Sequence, residues 1–268
     1  MKIFIFGIVL SLITLLPLGI KWELDKKIII PAAFFVGMMS WVLAKGTIVF
    51  WNLTFYQLLM FQVLVIAVTS ISLLLWRFYR DPERVPPQDD NIILSPADGK
   101  IIYVKKIEDG KIPLSEKRGR KFPLSDFIQA DVLESGGHLI GITMNYLDVH
   151  VNRAPIGGKI VLIKHIKGLF VSLKKKEAVI QNERMLTVIQ NRHFKVGIVQ
   201  IASRLVRKII PYLREGNDVR SGQRIGAIRF GSQVDLILPE LPSLSIEVTP
   251  GEKVKAGISI MAGFDASQ

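Results

Sequence analysis

The chain has 268 residues, 49% of them hydrophobic, and a formal net charge of +12 at pH 7. Its length allows one moderate domain beside a membrane anchor and excludes a large multidomain assembly. The basic balance favours an anionic partner, and the absence of cysteine excludes disulfides and agrees with a cytoplasmic location.

Apolar residues are concentrated at the N-terminus. Three stretches contain no charged residue: Ile3–Ile20, Ile28–Ala44 and Gly46–Trp76. A membrane-spanning helix needs about 20 apolar residues, so the first and third stretches are long enough and the second is marginal. The sequence predicts an anchor of two or three transmembrane helices over residues 1–76. A re-entrant or interfacial segment is the alternative for the middle stretch.

Basic residues next to the apolar stretches indicate an orientation. Lys21, Lys26 and Lys27 follow the first stretch, and Arg77 and Arg80 follow the third. With three spans, both groups lie on the same side, which the positive-inside rule makes cytoplasmic. We therefore expect a catalytic domain at residues 77–268 on the cytoplasmic side of the cell membrane.

Residues 77–268 have a period of two more often than a helical period. This pattern predicts a mainly β domain, all-β or α+β, with a barrel-sandwich-like arrangement. Two helices are expected at Ala202–Arg214 and Ser125–Glu134, the second with Ser125 as its cap. The runs with strand character are Lys100–Val104, Leu139–Met144, Lys159–Ile166, Val196–Ile201, Arg224–Arg229, Val234–Leu238, Leu244–Val248 and Gly257–Met261.

Nucleic acid is the competing partner for a basic domain. The sequence contains no helix-turn-helix pattern, no interleaved aromatic and basic run and no metal-ligand spacing. We therefore expect a membrane and lipid partner, with neither nucleic acid nor metal.

A Gly-Ser bond at Gly231–Ser232 offers a chemistry of its own. A serine hydroxyl can attack the carbonyl of a preceding glycine, because glycine tolerates the strained turn that this attack needs. A histidine would accept the serine proton, and a carboxylate would orient that histidine. His150 and Asp98 are the candidates. Taken singly, the Gly-Ser pair is also a common turn, Asp98-Gly99 a hairpin turn, and His150 a core histidine.

Five ordered motifs together carry a resemblance. The chain resembles the phosphatidylserine decarboxylase family in its shorter form, which includes the archaetidylserine decarboxylase-like branch. The motifs are Phe78–Arg84, Ser95–Gly99, Asp148–Pro155, His165–Phe170 with Asn182–Arg184, and Phe230–Leu236.

The resemblance implies a proenzyme that cleaves itself between Gly231 and Ser232. Ser232 would become a pyruvoyl group, the cofactor, without metal or pyridoxal phosphate. Its ketone would form a Schiff base with the serine amine of an aminophospholipid and accept the electrons released as carbon dioxide leaves. The product would be phosphatidylethanolamine. The partners implied are the membrane, the large and small chains of the cleaved proenzyme, and a second copy in a homodimer.

The resemblance also implies a substrate-side segment. His165, Asn182 and Arg184 belong to it, and Arg153 is expected either to hold the phosphodiester or to stabilise a turn.

Two positions depart from the family pattern. Leu147 stands where the larger bacterial form has a second histidine, which leaves the proton donor of decarboxylation open between His150, His165 and Asp148. Gln233 stands where an arginine is usual in the shorter form, so the grip on substrate or the cleavage rate is expected to differ.

Two alternatives differ from this interpretation. In the first, the β domain would serve as an uncleaved, membrane-anchored adaptor of the lipoyl type. A short similarity of turn and strand between residues 217–226 and 248–257 supports it. Alternatively, the enzyme would act on archaetidylserine, whose lipid backbone the sequence does not distinguish from a diacyl one.

Overall fold

The structure is a computed structural model that describes residues 2–21, 25–51, 53–112, 122–129, 136–145, 147–173, 178–203, 208–228 and 232–265. It divides into two compact units, Met1–Arg80 and Asp81–Gln268.

The N-terminal unit consists of three long helices. They are α1 (Lys2–Lys21), α2 (Lys26–Phe50) and α3 (Phe55–Phe78). Among the described residues, each of the three is long and apolar enough to cross a membrane. By length and composition these are three candidate spans, and the membrane anchor itself stays a prediction.

The boundary between the second and third helices differs from the sequence prediction. The apolar stretches suggested a break at Lys45, but Lys45 lies inside α2 with its ammonium group 5.1 Å from the centre of the Trp41 ring. The break falls at Thr54, where a capping box with Gln57 begins α3. Local hydrogen bonds to the first backbone N–H groups, rather than the single charge, set this boundary.

The C-terminal unit is mainly β, as predicted, with two short helices. In chain order its elements are β1 (Ile92–Leu94), β2 (Gly99–Ile107), β3 (Lys111–Ile112), β4 (Phe122–Pro123), α4 (Leu124–Ile128), β5 (Gly137–Met144), β6 (Val151–Arg153), β7 (Gly158–Ile166), α5 (Ala178–Gln181), β8 (Arg184–Gln190), β9 (Lys195–Ile201), β10 (Ile209–Pro211), β11 (Asp218–Val219), β12 (Arg224–Ile228), β13 (Ser232–Pro239), β14 (Ser245–Ile246), β15 (Lys253–Val254) and β16 (Ile260–Gly263).

A curled antiparallel sheet of eight strands forms the centre of this unit. Its order is β11-β7-β8-β9-β13-β5-β2-β15. Two hydrophobic cores cover it, and successive residues of β13 contribute to them in turn: Val234 and Leu236 belong to the first core, Ile237 to the second. Because side chains alternate between faces along a strand, the two cores lie on opposite faces of the sheet.

Two three-stranded sheets accompany the large one. Their orders are β10-β12-β6 and β1-β16-β14, and β3 and β4 form a separate pair. The β10-β12-β6 sheet matters for function, because β12 leads towards the Gly231–Ser232 bond.

The prediction of a helix at Ala202–Arg214 is wrong for the residues of this range that the structure describes. Ile209–Pro211 forms β10, in which Ile210 pairs with Ala227 of β12. The spacing of apolar residues suggested a helix, but Pro211 cannot donate a backbone hydrogen bond and is tolerated on an edge strand such as β10. Residues 204–207 lie outside the described residues.

The helix predicted at Ser125–Glu134 is present only in its first part. It runs as α4 from Leu124, and Pro123 rather than Ser125 occupies the N-cap position, without a side-chain hydrogen bond. Gln129, with φ of 50°, ends it in the left-handed conformation. Residues 130–135 of the predicted helix lie outside the described residues.

Candidate active site

Asp98 lies in the turn between β1 and β2, and its carboxylate is almost fully enclosed. Arg84 donates to both carboxylate oxygens, at 2.5 Å from Nη1 and 2.8 Å from Nη2. The backbone N–H of Ala256 donates to Oδ1 at 2.8 Å. The next residue must be glycine, because a Cβ at Gly99 would lie 2.2 Å from the carbonyl oxygen of Thr143 in β5. Asp98 is therefore a fixed, ion-paired carboxylate.

His150 immediately precedes β6 and is 3% exposed. Its Nδ1 lies 2.8 Å from the backbone carbonyl oxygen of Asp148. A carbonyl oxygen only accepts, so Nδ1 carries a proton and the lone pair of the neutral ring is on Nε2. This tautomer leaves Nε2 as the basic nitrogen.

Burial lowers the pKa of His150 from 6.5 to about 4, although the hydrogen bond to the Asp148 carbonyl and the charge of Asp98 both oppose this shift. Burial has this direction because the cationic ring loses its hydration. The imidazole is thus neutral at physiological pH and able to accept a proton.

The turn that carries Asp98 is tied to the strand that follows His150. The carbonyl oxygen of Pro96 accepts hydrogen bonds from the Arg153 backbone N–H at 2.9 Å and from Asn152 Nδ2 at 3.2 Å. Gln200 of β9 donates to Asn152 Oδ1 at 2.8 Å. Asn152 and Gln200 are buried, and their hydrogen bonds fix β6 against both the turn and the large sheet.

A backbone hydrogen bond joins His150 to the strand that precedes Gly231 and Ser232 in the sequence. The N–H of Ile228, the last residue of β12, donates to the carbonyl oxygen of His150 at 3.0 Å. β13 then begins at Ser232, paired with Met144 of β5. Four residues of extended chain span at most ~14 Å, which limits the separation of the Ile228 and Ser232 backbones. Gly231 itself lies outside the described residues.

A second polar cluster was missed by the sequence analysis. Asp235 is fully buried in β13; Tyr103 donates to its Oδ2 at 2.7 Å and Gln233 donates to its Oδ1 at 2.7 Å. Burial raises the pKa of Asp235 to about 7, against the two hydrogen bonds and the charge of Lys105. The signal was available: an aspartate inside the apolar run Val234–Leu238 needs partners.

Gln233 therefore has a defined place although it departs from the family pattern. Its Nε2 donates to Asp235 and also to the Tyr103 hydroxyl at 2.7 Å. The side chain is 3% exposed and is directed into this cluster. Its role in the structure is to hold the beginning of β13.

Asn182 and Arg184, expected on the substrate side, are buried and bonded to the backbone. Asn182 donates to the carbonyl oxygens of Val171 and Ala202, each at 2.8 Å. The Arg184 guanidinium donates to the carbonyl oxygens of Phe127 at 2.6 Å and Ile180 at 2.6 Å. These contacts hold α4, α5 and the neighbouring loop against the sheet.

Arg153 and His165 lie in different surroundings. Arg153 donates to the carbonyl oxygens of Gly222 and Pro82, each at 3.0 Å, and so it holds two loops together. His165 of β7 is 3.0 Å from Glu183 at the surface. The side-chain contacts described for these two residues therefore connect them to loops and to a surface carboxylate rather than to His150 or Asp98.

No group of three or more histidine, aspartate or glutamate side chains is arranged to hold a metal ion within the part of the chain that the structure describes.

Fold and site together define a class. Its members combine apolar N-terminal helices with a mainly β unit that contains a neutral buried histidine and an ion-paired aspartate, and in the sequence a glycine precedes Ser232, the first residue of β13. The family model that describes phosphatidylserine decarboxylase matches residues 71–262. The chain belongs to the phosphatidylserine decarboxylase family and is a decarboxylase, which confirms the family resemblance.

Relatives from three organisms agree with this assignment. Two are provisionally named archaetidylserine decarboxylase proenzymes: that of Methanothermobacter thermautotrophicus is 39% identical over 76% of this chain and 87% of the relative, and that of Methanocaldococcus jannaschii is 43% identical over 74% and 93%. A phosphatidylserine decarboxylase proenzyme of Desulfotalea psychrophila is 39% identical over 69% of this chain and 76% of the relative.

Proposed function

We propose that the chain is a pyruvoyl-dependent phosphatidylserine decarboxylase made as a proenzyme that cleaves itself between Gly231 and Ser232. The observation that carries this proposal is the position of His150. Its basic Nε2 belongs to a residue whose carbonyl oxygen is hydrogen-bonded to Ile228, three residues before Gly231. Cleavage divides the chain into residues 1–231 and 232–268.

Self-cleavage begins with the Ser232 hydroxyl. His150 accepts its proton as the oxygen attacks the Gly231 carbonyl carbon, and Asp98 stabilises the imidazolium that forms. The peptide bond is replaced by an ester. Elimination then breaks the bond between Cβ and the ester oxygen, so that this oxygen leaves as part of the Gly231 carboxylate. Elimination leaves a dehydroalanine at position 232. Water then hydrolyses it to the ketone, and its nitrogen is released as ammonia.

The backbone pairing of β13 supports the formation of a pyruvoyl group at this position. β13 remains paired on both sides from Gln233 onward, so the new N-terminus of the small chain stays in place after cleavage. When formed, the group supplies an electron sink for the loss of carbon dioxide. In this proposal His150 and Asp98 hold or return a proton at this terminus, and His150, His165 and Asp148 are the candidates for the proton donor.

The substrate is an aminophospholipid with a serine headgroup. The three apolar helices keep the chain at a bilayer, where acyl chains remain in the lipid while the headgroup reaches the site. Phosphatidylserine is our first choice and archaetidylserine our second, because relatives carry both names. The basic residues beside α1 and α3 support a location of the catalytic unit on the cytoplasmic side of the cell membrane. The homodimer stays a prediction.

The test is the covalent state of the purified full-length chain. We expect two fragments on a denaturing gel, a small chain blocked at its N-terminus, and carbon dioxide release from phosphatidylserine vesicles. Ser232→Ala should remain a single 30.1 kDa species without activity. Ser245→Ala, the same change at an exposed serine of the small chain, is the matched control and should be cleaved normally.

Three outcomes are distinguishable. An uncleaved wild-type chain supports the adaptor alternative and contradicts the proposal. Cleavage with release of carbon dioxide only from archaetidylserine vesicles assigns the second substrate. Cleavage of Ser232→Ala at the normal position would exclude the serine as nucleophile.

A further inference from the structure

The segment that follows the membrane anchor in the chain, Asp81–Pro86, is bound tightly to the catalytic unit. Arg224 of β12 donates to Asp81 at 2.6 Å and to Glu83 at 2.7 Å, and Pro86 packs on Gly222. A Cβ at Gly222, whose φ is +74°, would lie 2.2 Å from Pro86 Cγ. This close approach shows a formed contact rather than a loose linker.

Arg84 is the residue of this segment that points into the site. Its guanidinium holds both oxygens of Asp98 and also donates from Nη1 to the carbonyl oxygen of Ala256 at 2.7 Å. The side chains of Arg84 and Asp98 are 9% and 10% exposed. A bidentate fork fixes the orientation of a carboxylate as well as compensating its charge, which a single ammonium donor does not do.

We propose that Arg84 is a positioning residue for self-cleavage: it holds Asp98 in the orientation from which the carboxylate supports His150. The segment next to the anchor is thereby a working part of the processing centre and not only a connection. This inference rests on the proposed function, in which Asp98 stabilises the protonated form of His150.

The competing explanation is that Arg84 only fastens the segment to the domain. Both explanations predict a loss of stability when Arg84 is removed, because an unpaired buried carboxylate is costly. They differ in chemical rescue. If Arg84 acts through Asp98, free guanidinium that occupies the vacated space restores cleavage of an Arg84→Ala chain, whereas it cannot repair the connection to the segment.

The experiment measures the cleavage rate of the full chain, synthesised in a cell-free system with phospholipid nanodiscs and sampled on denaturing gels. We expect Arg84→Ala to cleave roughly a hundredfold more slowly, the size of effect that small misplacements of reacting groups produce. Guanidinium below denaturing concentration should recover at least about a tenth of the lost rate, and it should leave Asp98→Asn unchanged. Arg84→Lys, which keeps the charge without the fork, should be intermediate.

Arg224→Ala is the matched control. It removes an arginine from the same segment's ion pairs without touching Asp98, and partly exposed pairs of this kind should change the rate by less than about fivefold. Cleavage of Arg84→Ala or Arg84→Lys at the parental rate would overturn the inference, as would an equal loss in Arg84→Ala and Arg224→Ala. If Arg84→Ala does not fold, the cleavage rate of Arg84→Lys tests the inference instead. A parent chain that stays whole refutes the proposed function itself, and the inference with it.

Discussion

Two buried carboxyl groups of the C-terminal unit differ in their partners. Asp98 is paired with the guanidinium of Arg84, and Asp235 is bonded to the phenol of Tyr103 and the amide of Gln233. The first has a full opposite charge at 2.5 Å, and the second has neutral donors together with a pKa raised to about 7. Both side chains are buried, and they differ in whether the partner carries an opposite charge.

The positions of the two groups differ as well. Asp98 lies in a turn tied to β6, and its charge raises the pKa of His150. Asp235 belongs to β13 and contacts Tyr103, which packs against the second core. We therefore assign Asp98 to the chemistry and Asp235 to the placement of β13.

The largest expected effect is on the rate of self-cleavage. The same substitution, aspartate to asparagine, is made in each of the two carboxyl groups. Asp98→Asn removes the charge that stabilises protonated His150, and we expect self-cleavage to slow by at least about a hundredfold. Asp235→Asn keeps a hydrogen-bonding side chain of the same size in the second cluster and should alter the rate by less than about fivefold. The measurement is the time course of fragment formation for each full-length variant. Equal rates for both variants would remove the functional distinction between the two carboxyl groups.

The sequence predicted the general architecture because the relevant signals are local. Alternating runs such as Leu139–Met144 and Lys159–Ile166 correspond closely to β5 and β7. Uncharged stretches likewise predicted the helices of the N-terminal unit. The pattern failed at Ala202–Arg214, where the edge position of β10 decided the structure, and pairing with β12 is not visible in the local sequence.

The candidate site was predicted only in part. His150 and Asp98 were selected from their chemistry and from the family resemblance, but the partner of Asp98 was not, since Arg84 is 14 residues away in the chain and meets it through tertiary structure. The Nδ1 partner of His150 was also not predicted, because it is a backbone carbonyl that carries no sequence signal. Asp235 could have been found from its position in an apolar strand.

A second prediction concerns stability and its dependence on pH. The folded chain keeps the Asp235 proton up to about pH 7, whereas an unfolded aspartate releases it near its ordinary 3.8. Between these values the folded state binds more protons, so this group makes the free energy of unfolding fall as pH rises, by roughly 4 kcal/mol in total, and the loss is complete above pH 7.

Two substitutions test this dependence. They are made in the Ser232→Ala chain, because we expect this chain to remain uncleaved. Asp235→Asn should abolish the contribution, so its stability relative to the parent should increase between pH 4 and pH 7. Gln233→Arg should also reduce the pH-dependent loss of stability. Here the reason is that a guanidinium beside Asp235 favours the charged carboxylate and lowers its pKa. Denaturant unfolding in detergent at several pH values measures both. A constant difference between parent and Asp235→Asn would show that Asp235 is ionised throughout this range.

The last prediction concerns the pH dependence of self-cleavage, for which we expect little change over the physiological range. This dependence distinguishes control by His150 from control by Asp235. His150 must be neutral to accept the Ser232 proton, and its pKa is lowered to about 4. The cleavage rate should therefore be nearly constant from pH 8 to pH 5 and fall about tenfold per pH unit below pH 4. Purified precursor from a slowly cleaving variant, shifted to each pH and quenched at intervals, supplies the profile. A midpoint near 7 would instead assign the controlling proton to Asp235, and a midpoint near 6.5 would indicate a solvated histidine as the base.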